Sequence, residues 1–155
     1  MWSPREDASD HRLLWQLREA LSSCLEERYL KPVVLFEHGA PDASDSRPCS
    51  VSHAHWHLVP SEAGLEAILL PEYQWERIDS PLTNSDAEYL MVSDGRKNHW
   101  VSRANGPIPS QILRRRLASV TGGPASPWDW RAELSLSRMI QTLDDLRGRF
   151  ATCAS

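Results

Sequence analysis

The sequence predicts a single α+β domain, an antiparallel sheet with helices packed on it, and three observations predict it. Apolar residues recur at helical spacing near both ends of the chain. A short β-branched and apolar run, Val33-Val34-Leu35-Phe36, suits a buried strand. A second run, His53-Ala54-His55-Trp56-His57-Leu58-Val59-Pro60, alternates strictly between imidazole or valine and core-forming side chains. The two runs are joined by a loop of turn formers over 37–48, so they are expected to pair antiparallel at the centre of the sheet. With 155 residues there is enough chain for one sizeable core, and 41 % apolar with 25 % charged residues argues against wholesale disorder.

Taken in order, residues 1–9 are a polar lead-in, and Asp10 is the expected N-cap of a helix reaching about Arg28. Leu13, Leu14, Leu17, Leu21, Cys24 and Leu25 form its apolar stripe, with charges opposite. Pro32 closes it, and the histidine strand at about 50–59 ends at Pro60. Residues 65–70 and 88–92 read as further strands, and Asp94-Gly95 as a turn before His99-Trp100-Val101. Ser110 is the expected N-cap of a helix running to Val120 and stopping at Gly122-Gly123. A last amphipathic helix carries Leu136, Met139, Ile140, Leu143 and Leu146. The domain thus divides into the lead-in 1–9, a helix–strand–histidine-strand unit over 10–60, and a C-terminal extension over 61–155.

Charge is asymmetric. Residues 1–95 hold 7 Lys/Arg against 17 Asp/Glu, whereas residues 96–155 hold 10 against 4. The basic part is too modest and too broken by acids to predict a nucleic-acid polymer as partner. Cys24, Cys49 and Cys153 are odd in number and form no CxxC pair, which suits reduced thiols and a cytoplasmic setting. No apolar run is long enough for a membrane span, so no membrane partner is expected.

The histidines carry the functional reading. On a strand, His53, His55 and His57 project from one face, successive rings roughly 7 Å apart. An ordinary strand could contain one histidine by chance, but three in alternation ask for a chemical reason. One use is metal ligation, since three imidazoles plus water make a catalytic zinc or iron site. The other is phosphate chemistry. Neutral imidazole attacks phosphorus to give a phosphohistidine, and flanking imidazoles donate hydrogen bonds to phosphoryl oxygens or protonate a leaving oxygen. That second use needs no metal and no cofactor.

The segment Ser50-Val51-Ser52-His53-Ala54-His55-Trp56-His57-Leu58-Val59-Pro60 resembles the signature of the histidine-triad (HIT) superfamily, whose members are nucleotidyl hydrolases and transferases. The upstream strand ending Phe36-Glu37-His38-Gly39 and the loop after it resemble the segment preceding the triad there. The resemblance covers about residues 10–60, with a shortened N-terminal part and a long extension beyond the triad. It implies a HIT-like sheet with the triad on a central strand. It also implies His55 as nucleophile, His53 as its orienting partner, and His57 as a contact to the phosphate or leaving oxygen. Ser50 falls where members place a phosphate-contacting hydroxyl, and Glu37 near a polar position that contacts substrate. A twofold homodimer pairing through the first helix and adjoining strand is implied as well.

Within the basic part, Arg114-Arg115-Arg116 lies on the short helix after Ser110. Arg114 and Arg115 are the first candidates for phosphate, with Gln111 as a polar contact near the helix start. Trp128, in Trp128-Asp129-Trp130-Arg131, is a candidate wall for a base pocket, while His99 is expected to be structural or exposed. The expected function is hydrolysis or transfer at a nucleoside 5′-phosphoryl centre through a nucleotidyl-histidine, with a nucleotide or nucleotidyl compound as ligand. The alternatives are a metal-dependent hydrolase using the three histidines, and an inactive module that binds nucleotide or protein.

Overall fold

The computed structural model describes residues 8–39, 55–79, 87–94, 98–103, 106, 108–109, 111–122 and 136–147. They form α1 (Ala8–Tyr29), β1 (Val33–Gly39), β2 (His57–Pro60), α2 (Leu65–Ile68), β3 (Glu76–Ile78), β4 (Tyr89–Ser93), β5 (His99–Arg103), α3 (Ile112–Val120) and α4 (Leu136–Leu146). The class is α+β, with an open five-stranded sheet in the order β2-β1-β4-β5-β3, every neighbouring pair antiparallel.

α1 stops where the chain must reverse. Leu30 takes a left-handed conformation (φ 53°) as its N–H bonds to the Glu26 carbonyl at 2.8 Å, and Pro32 forbids further helix. The Glu26 carboxylate accepts the Val33 N–H at 3.2 Å, tying the helix end to the start of β1. A β-carbon costs roughly 1–2 kcal/mol in that backbone region, and Leu30, 88 % exposed, recovers little of it by packing. Leu30→Gly is therefore expected to stabilise the fold by about 0.5–1 kcal/mol, after the extra unfolded-state entropy of glycine. Urea denaturation reads this, and a lower midpoint would contradict it.

Side chains leave the sheet alternately to two faces, and a cluster sits on each. On one, Val34, Phe36, Leu90 and Val92 meet Ile68, Leu70, Ile108, Leu113 and Leu117, so α2 and α3 cover this face. On the other, Leu35, Tyr89, Met91 and Val101 meet Trp56, Leu58 and Ile78. α1 lies over this second face, its Trp15 ring 5.3 Å from Trp56 and 5.9 Å from His99.

Several expectations change. Among the described residues β2 pairs with β1 alone and lies at the edge of the sheet, so His57 is not on a central strand there. β2 begins at His57, leaving His55 just before it. β1 contains Glu37, His38 and Gly39, which corrects the loop expected over 37–48 and agrees with the strand end that the resemblance implied. Residues 65–68 are a helical turn rather than a strand: Leu65, Ile68 and Leu69, at helical spacing, all pack on the same core cluster. α3 starts one residue after Gln111, which sits at the cap position with φ 60°; Ser110 lies outside the described residues.

α1 also presents a different side. Of the expected stripe, Leu13, Leu14 and Leu17 are exposed and Cys24 is buried, together with Arg18 (3 % exposed) and Ser22. Trp15, Arg18 and Ser22 share the inward side, and the Arg18 guanidinium stacks on Trp15 at 3.7 Å, so aromatic contact outweighs the leucine stripe. α4 exists as expected, yet Leu136, Met139, Ile140 and Leu143 are exposed. An ion pair from Arg28 to Asp145 ties it to the end of α1. The segment 73–75 closes a turn onto the core, with the Trp75 indole N–H bonded to the Leu70 carbonyl at 2.9 Å. Asp94 and Asn98 exchange hydrogen bonds across the β4–β5 connection. No helix among the described residues is long and apolar enough to cross a membrane.

Candidate functional site

The site lies on the α2/α3 face, at the end of the sheet where β2 begins. His57 pairs with Phe36, so both side chains leave the sheet on this face, and their rings stack at 4.8 Å and 30°. The His55 ring meets His57 edge-on, with centroids 4.7 Å apart and planes at 82°. Two of the three triad histidines therefore share a face, as alternation requires, at a spacing tighter than a regular strand would give. His53 and Ser50 lie outside the described residues, as does Trp128.

α3 brings the positive charge. Leu113 and Leu117 seat the helix in the core, and Arg114, beside Leu113, reaches back over the edge of the sheet. Its Nη2 lies 3.2 Å from His57 Nδ1 and 3.3 Å from Nε2. A neutral imidazole has one lone pair to offer, and a cation this close opposes a second charge. Burial, then Arg114, then His55 hold the His57 pKa down at about 4. Burial also lowers that of Arg114. His57 is thus neutral across the physiological range, and the fixed positive charge belongs to the guanidinium.

The neighbouring arginines do different things. Arg115 is exposed, while Arg116 Nε donates to the Ala67 carbonyl at 2.8 Å and pins α2 to α3. Gln111 is half-buried at the start of α3, one helical turn before Arg114.

Glu37 does not join the histidines. It follows Phe36 in an unbroken strand, so it leaves the sheet on the opposite face, where it is 1 % exposed. The Trp56 indole donates to its Oε2 at 3.0 Å, and the Tyr89 hydroxyl also bonds to it. Burial raises its pKa despite those two donors. Its role there is architectural: it holds the segment before β2 against β1.

Gly39 makes this possible. It faces Tyr89 in the β1–β4 ladder, and the Tyr89 ring lies where a β-carbon on Gly39 would be. Gly39→Ala must displace the ring and its bond to Glu37. A loss of roughly 1–3 kcal/mol in stability is expected, and an unchanged denaturation midpoint would show that the ring moves freely.

His38, which the sequence reading passed over, lies on the histidine face, because β1 continues past Phe36. Its Nε2 is 2.9 Å from Glu88 Oε1, and Glu88 Oε2 accepts the Ile108 N–H at 3.0 Å. The signal was parity: His38 is two residues beyond Phe36, but ending the strand at Phe36 concealed it. His99 is buried, 2.8 Å from Ser93 Oγ, and serves the other face.

No protein-family model matches this chain, and no curated protein and no solved structure matches it either.

Proposed function

We propose that this chain is a nucleotide hydrolase or nucleotidyltransferase of the histidine-triad kind, acting at a nucleoside 5′-phosphoryl centre through a covalent nucleotidyl-histidine on His55. The observation that carries the reading is Arg114 against His57. A guanidinium 3.2–3.3 Å from both ring nitrogens stands where a bound cation would have to approach, and suits an anion instead. His55 meets, edge-on, the neutral imidazole that this guanidinium contacts, which supports it as the group that attacks phosphorus.

His55 forms a P–N bond while the bond from phosphorus to the leaving oxygen breaks, and that oxygen takes the electron pair. Arg114 and the His57 N–H stabilise the charge gathered on the non-bridging phosphoryl oxygens. Water or another acceptor then displaces His55 from phosphorus, and Ser50 and His53 are assigned the phosphate contact and the orienting bond that the family resemblance implies. The exposed Leu13, Leu14 and Leu17 of α1 support the twofold pairing that the same resemblance implies.

The test is acid-sensitive adduct trapping. Protein is mixed with nucleotidyl compounds labelled at the α-phosphorus, quenched in base, and searched for label on His55. Label on His55, formed in the presence of a chelator, supports the reading. Turnover that a chelator abolishes and zinc or iron restores would favour the metal-dependent alternative, and neither label nor turnover would favour a binding module.

A further inference from the structure

We propose that His38, held by Glu88, is the proton carrier for the leaving group at this site, which rests on His55 being the nucleophile. Strand pairing is assigned as far as Phe36↔His57. The ladder ends there, yet Trp56 stays bonded to Glu37 at 3.0 Å. Carrying the register one step beyond that bond would bring His55 beside His38, on the face where the His55 ring meets His57. Side chains directly opposite in an antiparallel pair have β-carbons about 4.5–5.5 Å apart, close enough for both rings to reach one phosphoryl group.

Glu88 gives His38 the form of an acid–base pair. β4 pairs His38 with Leu90, which places Glu88 diagonally beside it at the same end of the sheet. One carboxylate oxygen takes the His38 Nε2 proton at 2.9 Å, and the other is anchored by the Ile108 backbone N–H. A carboxylate so fixed sets the ring orientation, turning Nε2 to Glu88 and leaving Nδ1 for proton exchange. Tyr73 also lies near Glu88, and Arg114 meets His57 on the same face of the sheet.

The site needs such a group. His57, under Arg114, carries no additional proton at neutral pH, so it can donate a hydrogen bond but is a poor source of a proton for a departing alkoxide. In the forward step the imidazolium of His38 gives its Nδ1 proton to the leaving oxygen as the P–O bond breaks. In the second step the neutral ring takes a proton from the attacking water or acceptor hydroxyl as the P–N bond breaks, which returns it to its starting state.

The test compares two esters of one nucleoside 5′-phosphate, carrying the nucleobase on which wild type is most active. One has p-nitrophenol as leaving group, which departs without a proton, and one has a simple alkanol, which does not. His38→Gln is expected to lose about 10²–10⁴-fold on the alkyl ester and less than about tenfold on the nitrophenyl ester. Glu88→Gln should show the same selectivity to a smaller degree, which keeps the test alive if one variant folds poorly. Equal losses on both esters, or no loss on either, would overturn the assignment. His55→Ala must abolish turnover of both; if it does not, or if wild type turns over neither ester, the parent reading fails and this one with it.

Discussion

His55→Ala is expected to lower turnover of the best nucleotidyl substrate by at least about 10⁴-fold and to remove the covalent adduct. Losing the nucleophile leaves only positioning and charge stabilisation, and in covalent enzymes those account for the remaining rate. The fold should survive. His55 precedes the first paired residue of β2 and is half-buried, so its removal takes no ladder bond and opens no core cavity. A variant with an unchanged denaturation curve and no adduct isolates chemistry from stability. Turnover within tenfold of wild type would show that phosphorus is attacked by another group.

Arg114→Met is expected to cost about 10²–10³-fold in kcat/KM, the range seen when a donor aimed at developing charge is removed. Methionine keeps an unbranched stem and removes the guanidinium, so packing changes little. A second readout comes from His57. With Arg114 present its pKa is about 4, through burial first, then Arg114, then His55. Without the arginine the value should climb toward 6.5 without reaching it, since burial remains. Imidazole proton resonances followed through a pH titration measure this, and an unmoved His57 would show that the two groups are not coupled.

The same shift sets a pH dependence of stability. The His57 pKa is depressed in the fold, so between about 4 and 6.5 the unfolded chain binds the proton and the folded one does not. The stability is whole above pH 6.5 and falls as the pH drops through that window. Linkage bounds the loss at about 3 kcal/mol, and solvent around the half-buried ring brings it nearer half that. Arg114→Met should flatten the acid limb of this curve.

Much of the scaffold could be read before any coordinates. The helical periods near both ends locate α1 and α4, and the run Val33–Phe36 marks β1 because β-branched side chains buried on both faces leave no polar alternation. The turn at Asp94 and the strand after it follow from local chemistry, as does the helix containing Arg114. Two histidines on one face follow from the period of a strand.

Other features depend on contacts between distant segments. Whether α1 buries its leucines or its Trp15–Arg18 side is decided by Trp56 and His99, which lie 41 and 84 residues away from Trp15. The fate of Glu37 turned on three more residues of strand beyond Phe36, and those persist because Tyr89 packs over Gly39 and bonds to the carboxylate.

Sequence by itself determined local periods: which segments coil, which extend, and which side chains alternate together, because those depend on backbone geometry over a few residues. Tertiary structure alone decided that β2 is an edge strand, that Arg114 rather than Arg115 or Arg116 meets His57, and that His38 and Glu88 form a pair. Those outcomes depend on sheet order and helix docking, where burial of whole faces is weighed between residues far apart in the chain, and no local pattern encodes that sum.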